Sequence, residues 1–210
     1  MISVFSNTAN STEELAGLGY PILDNWCKSA TLFATLNGEQ YIKLEIPHKA
    51  FAIDRKKLPN GRDILKIIDM DDEEDYYRVR KPKFDLKTTT IIAEHISADL
   101  IDNLIEDINI VNANGSEAMA KIKAGTQYTH PFDFRSNIMS TANIRIVRMN
   151  PLQALIGTAD NTFVKRFGGE LRRRRFTLTV NDRIGVHRTG TIRSKKDLTG
   201  FESEVDWDAV

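Results

Sequence analysis

The stretch RFGGELRRRRFTLTVNDRIGVHRTG, residues 166–190, sets four consecutive arginines, Arg172 to Arg175, close behind the pair Gly168–Gly169. Guanidinium groups grip phosphates or carboxylates through forked hydrogen bonds, so the run offers either nucleic-acid or protein contact. Its counterpart is DMDDEED, residues 69–75. As a calcium loop this cluster fails, because position six is Glu74 instead of glycine and position twelve is Arg80 instead of a bidentate glutamate. The histidines, His48, His95, His130 and His187, stand far apart with no His-Glu-x-x-His pattern, which leaves no zinc-hydrolase signature. His95, inside the apolar run IIAEHIS, reads as a hydrogen-bonded structural imidazole in preference to a ligand. Cys27, beside Trp26, reads as a small buried hydrophobe; a nucleophile would need a positioned histidine. No Gly-x-Ser-x-Gly elbow, phosphate loop or dinucleotide fingerprint occurs. The expected inventory of catalytic residues, metal ligands and cofactors is therefore empty.

Bulk properties narrow the class. The chain has 210 residues, 41% hydrophobic and 28% charged, a composition that can bury a core. Lys plus Arg and Asp plus Glu are equal at 29, so no net field draws it to nucleic acid or anionic membrane. Locally the charge is segregated: the acidic run at 69–75 contrasts with eleven Lys or Arg between Lys165 and Lys196. Such segregation suggests surfaces that meet opposite charge. A single cysteine excludes an internal disulfide and suits a reducing cytoplasm. The first residues, MISVFSNTANSTEE, lack a secretory pattern, and no run of about 18 apolar residues offers a membrane span. Asn10-Ser11-Thr12 matches a glycosylation acceptor by chance in that setting.

Two-residue alternation dominates the first third. In ATLNGEQYIKLEIP, Ile42, Leu44 and Ile46 face one way and Lys43 and Glu45 the other, behind an Asn37-Gly38 turn suited to positive φ; this predicts a hairpin. Strands are expected at 63–68, 75–80 and 87–95, which puts Asp71, Asp72, Glu73 and Glu74 in a turn. Short antiparallel strands of this kind read as a small barrel or sandwich. From Ser97, SADLIDNLIEDINIV spaces Leu100, Leu104, Ile108 and Val111 as one helical stripe with Ser97 as cap. SEAMAKIKAG predicts a second helix with Ser116 at its N-cap and Gly125 past its end, and NPLQALIG a third, with Asn150 as cap, Pro151 at the first position and Gly157 as terminator. DNTFVKRFGG adds a short helical turn, and from Glu170 strands resume to about Ser203. The reading is α+β: a small antiparallel β-barrel at 1–96, a central helical insert or α+β connecting domain at 97–165, and the start of a second, incomplete β-barrel at 166–210.

The arginines fall inside the returning strands. If Phe176, Leu178 and Val180 face the core, strict alternation would put Arg172 and Arg174 on that face and Leu171 opposite. A bulge or tight turn within the run would restore both apolar segments to the core and leave the guanidinium groups outside. A solvated or protein-facing strand edge is preferred over a nucleic-acid grip, because no interleaved aromatics or groove-sized helix accompany the run.

Particular words along the chain carry a resemblance. They are Ala93-Glu94-His95-Ile96, Asn150-Pro151 with Ala154-Leu155-Ile156-Gly157, Phe167-Gly168-Gly169-Glu170, Phe176-Thr177-Leu178 and Lys196-Asp197-Leu198-Thr199-Gly200. In this order and spacing the chain resembles the N-terminal structural region of tail-tip hub proteins of long-tailed phages and prophages, the family of phage minor structural proteins, prophage endopeptidase tails and tail-associated lysins. The resemblance runs from about Pro21 onward and is strongest after residue 93. Where relatives commonly carry Trp-Gly-Gly-Glu this chain has Phe167, and it stops at EVDWDAV before a full second barrel.

What the resemblance implies is a baseplate hub as in contractile phages. Each chain of such a hub supplies two related β-barrels, and three chains close a ring that adapts the sixfold tail tube to a threefold tip and lines the DNA exit channel. The implied partners are two further copies of the chain (a homotrimer), the distal tail protein, the tape measure protein and tip or fibre proteins, with DNA only in transit. The implied location is the virion tail tip, assembled in the bacterial host cytoplasm, and any hydrolase activity would sit in a C-terminal region outside this chain. Arg172, Arg173, Arg174 and Arg175 and the acids Asp71, Asp72, Glu73 and Glu74 are then candidate subunit contacts, the acidic turn of one chain meeting the basic strand of the next. The alternatives are a peptidoglycan-cleaving tail lysin and a nucleic-acid-binding module using residues 172–175.

Overall fold

The computed structural model describes residues 1–9, 11–17, 19, 23, 26–47, 59, 61–68 and 72–185. His48, His187, Asp71, the word at 196–200 and the strands expected beyond 185 lie outside the described residues.

Six antiparallel strands form the first sheet: β1 (Ile2–Phe5), β2 (Ser29–Ala34), β3 (Gln40–Pro47), β4 (Ile64–Ile68), β5 (Glu74–Phe84) and β6 (Thr88–His95), in the order β1-β4-β5-β6-β3-β2. The expected hairpin is β2–β3, closed by Asn37 at φ 53°. Consecutive residues of the central strands supply two apolar clusters on opposite faces. Leu65 and Tyr77 join Ile42, Leu44, Ile46, Val79, Ile91 and Ala93 on one side. Ile64 and Tyr76 join a larger cluster on the other, which runs through residues 96–180. Two-sided burial explains why β4 and β5 read as near-continuous apolar stretches while β3 and β6 alternate.

The segment after His95 departs from the expected helix. Only Ile96–Asp102 is helical, as a 3-10 helix, and β7 (Ile105–Ala113) follows as a strand. Asn103 makes the break: its backbone is extended, its Oδ1 accepts from the N–H groups of Leu104 and Tyr128, and its Nδ2 donates to the Tyr128 carbonyl at 2.7 Å. The spacing of Leu100, Leu104, Ile108 and Val111 satisfied a helical period, but the β-branched run Ile105, Ile108, Ile110, Val111 suits a strand equally well. Pairing with β9 (Ala142–Met149), whose Ile144 and Ile146 alternate with exposed neighbours, decided the conformation. Val111, assigned to the buried stripe, is 59% exposed.

The helical caps sharpen in the same way. The 3-10 helix is capped by His95, whose ring accepts from the Ser97 N–H, and not by Ser97. The cap of helix α1 (Gly115–Ala124) lies two residues earlier than expected, with Asn114 and Glu117 forming a reciprocal capping box in place of Ser116. Helices α2 (Pro151–Ile156) and α3 (Phe163–Phe167) lie where expected, with Asn150 and Gln153 boxing the start of α2.

The third sheet holds β10 (Glu170–Arg174), β11 (Thr177–Asn181) and β8 (Asp133–Ser136). β10 and β11 form an antiparallel hairpin, and β11 runs parallel to β8. The architecture is thus α+β, mostly antiparallel, with few and short helices. Residues 97–165 mix helix and strand: α1, α2 and the start of α3 alternate with β7, β8 and β9, and the departure from expectation is the strand β7 in place of a helix. Leu171, Phe176, Leu178 and Val180 share one cluster with Ile96, Met119, Leu155 and Phe163, so the arginine hairpin is seated on the central segment by apolar burial.

Candidate interaction site

A tight turn settles the arginine parity. Arg175, at φ 49°, and Phe176 form the two-residue loop between β10 and β11, a position where positive φ matches the strand twist. Pairing then sets Leu171 opposite Val180 and Arg173 opposite Leu178, so these four share the inner face, while Arg172 and Arg174 stand outside with Thr179 and Thr177. Three guanidinium groups lie outward as expected. The fourth, Arg173, turns inward, because the turn that rescues Leu171 carries its same-face neighbour with it. Its Nε is buried and has no hydrogen-bond partner among the described residues, and burial lowers its pKa. Arg173 borders an open groove of about 630 Å³, shared with Tyr41, His95, Ile101, Asn150 and Ile156.

The acidic turn and the arginines do meet, and they meet within one chain. Glu73 Oε2 accepts from Arg172 at 3.3 Å and also from Arg174, and Glu74 Oε1 faces Arg175 at 3.3 Å. A second copy is not needed to satisfy these charges. Asp72, at φ 57°, is exposed at the bend of the turn. Glu74 is shared further: it accepts from the Tyr76 hydroxyl at 2.7 Å and faces Lys66 at 3.6 Å. Lys66 is buried beneath the Phe5 ring and donates to the carbonyls of Leu15 and Gly17. Arg172 and Glu73 keep about half their side-chain surface in water, so each such pair contributes at most about 1 kcal/mol.

The stronger joint is one residue further on. Asp75 is buried and its Oδ1 accepts from the Tyr76 N–H at 3.0 Å, from the Arg175 N–H at 2.7 Å and from His95 Nε2 at 3.0 Å. Its Oδ2 accepts from Gln40 Nε2 and the Tyr77 hydroxyl, both at 3.3 Å. One carboxylate therefore ties β3, β5, β6 and the turn of the arginine hairpin together. Burial first, then the neighbouring carboxylates, raises the pKa of the Tyr76 and Tyr77 phenols. At the far end of β10, Asn37 donates to the Gly169 carbonyl at 3.0 Å and accepts from the Leu171 N–H at 2.7 Å. Its side-chain amide thereby imitates a neighbouring strand along the edge of β10. Asn37 was visible in the sequence only as a turn residue, and Asp75 only as the last of a run of acids.

Asp75, His95 and Ser97 lie in a line that invites comparison with a hydrolytic triad. The Ser97 hydroxyl sits 2.9 Å from His95 Nδ1, but the Ser97 N–H donates to that same nitrogen at 3.1 Å. A backbone donor fixes Nδ1 as the acceptor, so Nε2 carries the proton to Asp75. The single Nδ1 lone pair is already engaged, and Ser97 is buried to 2% exposure. The arrangement is a helix cap anchored on a carboxylate, as expected for a structural His95. Cys27 is half-buried against the first cluster. Among the described residues, no group of three or more His, Cys, Asp or Glu could hold a metal ion, and no helix is long and apolar enough to cross a membrane.

No family model and no curated protein matches the sequence. Solved structures do match the fold. The prophage tail protein gp18 from Listeria monocytogenes EGD-e superposes with a TM-score of 0.53 at 13% identity, over 72% of this chain and 43% of that one. A tail protein from Neisseria meningitidis MC58 gives 0.47 at 12% identity over 72% and 44%. The E. coli c3393 protein, a type VI secretion component described as similar to the T4 tail proteins gp27 and gp5, gives 0.44 at 10% over 73% and 49%. The chain spans less than half the length of each. Its fold is that of a prophage tail protein, the class to which the sequence words pointed.

Proposed function

We propose that this chain is a structural part of a phage or prophage tail, at the baseplate hub. In this reading three copies close a ring that adapts the sixfold tube to the threefold tip and lines the DNA exit channel. The observation that carries it is the shared fold with the Listeria prophage tail protein, reached independently of the ordered sequence words. The six-stranded sheet supports a barrel within the division 1–96, 97–165 and 166–210. Five of its six strands contribute to one common apolar cluster, as the inner face of a curled sheet would. Distal tail protein, tape measure protein and tip or fibre proteins are the partners, the virion tail tip is the location, and assembly takes place in the host cytoplasm.

The acid and arginine faces keep a place in this proposal with a changed role. Glu73 and Glu74 already neutralise Arg172, Arg174 and Arg175 in cis, which weakens the case for phosphate binding and leaves a mixed-charge rim that orients a neighbour. The test is the mass of the particle by light scattering across a concentration range, with and without the purified distal tail protein. A trimer, alone or once the distal protein is present, is expected. A strict monomer in both conditions would defeat the ring.

A further inference from the structure

One guanidinium of the arginine run has no counter-charge. Arg172, Arg174 and Arg175 each face a glutamate, but no carboxylate among the described residues pairs with Arg173, and its buried Nε has no hydrogen-bond partner there. An unpaired cation set into a protein wall is costly, and a carboxylate arriving from outside removes that cost. Arg173 borders the open groove of about 630 Å³, a volume typical of ligand clefts. The groove is apolar at Ile92, Ile101 and Ile156, and Glu39 and Glu94 add two acids that both reach water. Ile101 is left 51% exposed.

The tip of the β5–β6 hairpin carries the inverse arrangement. β4 stops pairing with β5 at Arg78, so among the described strands the last residues of β5 pair with β6 alone and the tip runs on into solvent. There Lys83-Phe84-Asp85-Leu86-Lys87 are all exposed, Phe84 at 65% and Leu86 at 93%. An acid stands between two apolar side chains with a lysine on either side, where the groove sets a cation among apolar walls with two acids. The tip is held in one shape: the Asp85 N–H donates to the Thr88 carbonyl at 2.9 Å and Asp85 Oδ1 accepts from the Leu86 N–H at 2.7 Å. A carboxylate has further lone pairs to offer, and a preformed turn lowers the ordering cost of docking.

The tip cannot serve its own groove. Ile92 and Glu94 sit on β6 itself, about 20–25 Å of strand away from the tip, and a paired hairpin does not fold back over its own face. The occupant that matches is the tip of another copy.

We propose that the hairpin tip of one copy docks in this groove of the next, with Asp85 against Arg173, Phe84 and Leu86 on the apolar walls, and Lys83 and Lys87 toward Glu39 and Glu94. Two unlike surfaces joined head to tail close a ring or extend a filament. The contact rests on the proposed ring and names the surfaces that build it.

A peptide spanning residues 81–90, cyclised to hold the hairpin and fluorescently labelled, tests the contact directly. The receptor is the full chain carrying Asp85→Arg, whose own tip no longer competes. Saturable binding is expected, weakened about tenfold or more by Arg173→Gln in the chain and equally by Phe84→Ser with Leu86→Ser in the peptide. Arg173→Glu should abolish binding of the native peptide and restore binding of an Asp85→Lys peptide, a rescue that an unfolded chain cannot give. No binding to the receptor chain, as when another segment already fills the groove, would overturn the proposal. So would binding indifferent to Arg173→Gln, or an apolar-deleted peptide that binds as well as the native one, which reduces the site to a bare carboxylate receptor. Light scattering separates the contact from the ring: a trimer that survives both Asp85→Arg and Arg173→Gln removes the contact and leaves the ring, whereas specific peptide binding by a strictly monomeric chain upholds the contact and removes the ring.

Discussion

The two ends of the arginine hairpin's anchorage make an instructive pair. At the surface, Glu73 and Glu74 face Arg172, Arg174 and Arg175 across water-exposed gaps. Beneath them, a single buried carboxylate, Asp75, accepts hydrogen bonds from two backbone N–H groups and three side chains. The surface set holds most of the formal charge and the buried one most of the energy. Exposed ion pairs exchange one set of favourable contacts with water for another, whereas removing a buried acceptor strands donors that water cannot reach.

The largest effect should come from Asp75→Ala. It leaves the Arg175 N–H and His95 Nε2 without their acceptor, and a loss of about 3–5 kcal/mol is expected in urea unfolding. A loss under about 1 kcal/mol would reverse the ranking of the two regions. Next stands Asn37→Gly, which preserves the positive φ but deletes both bonds to β10. It should cost about 1–2 kcal/mol and speed hydrogen exchange at Leu171 specifically. Glu73→Ala should cost no more than about 1 kcal/mol, with the difference shrinking further as salt rises. A cost that persists in high salt would show the surface pairs to be part of the buried joint.

The smallest effect is a pH slope away from both. His130, with Nε2 buried and without a hydrogen-bond partner among the described residues and its ring stacked on Phe134, has its pKa lowered by burial first and Lys123 second. The unfolded chain therefore binds a proton that the folded one resists. Stability should be full above the ordinary value of 6.5 and decline as pH falls below it, and His130→Gln should flatten that part of the slope in pH-dependent melting.

Short-range features were legible from the chain alone. The hairpin at Asn37-Gly38 and the capped helix from Asn150 through Pro151 to Gly157 each depend on the conformations of a few adjacent residues, which side-chain type restricts directly. So does the need for a turn in the arginine run, since Leu171 and Phe176 cannot both be buried in a continuous strand. The family words were legible for the same reason, as local runs at fixed spacing.

Tertiary structure alone decided three things. Residues 105–113 satisfied helical and strand periods alike, and only the ribbon with β9 selected between them. Asp75 meets Arg175, and Glu73 meets Arg172, across about a hundred residues of chain, a closeness that no local pattern encodes. The same turn that kept three guanidiniums outward sent Arg173 inward, because burying Leu171 and Val180 outweighs the discomfort of one cation. Local preference limits what each segment can be. Which neighbour it finds, and hence which charge counts, is set by apolar surfaces that combine only in the folded chain.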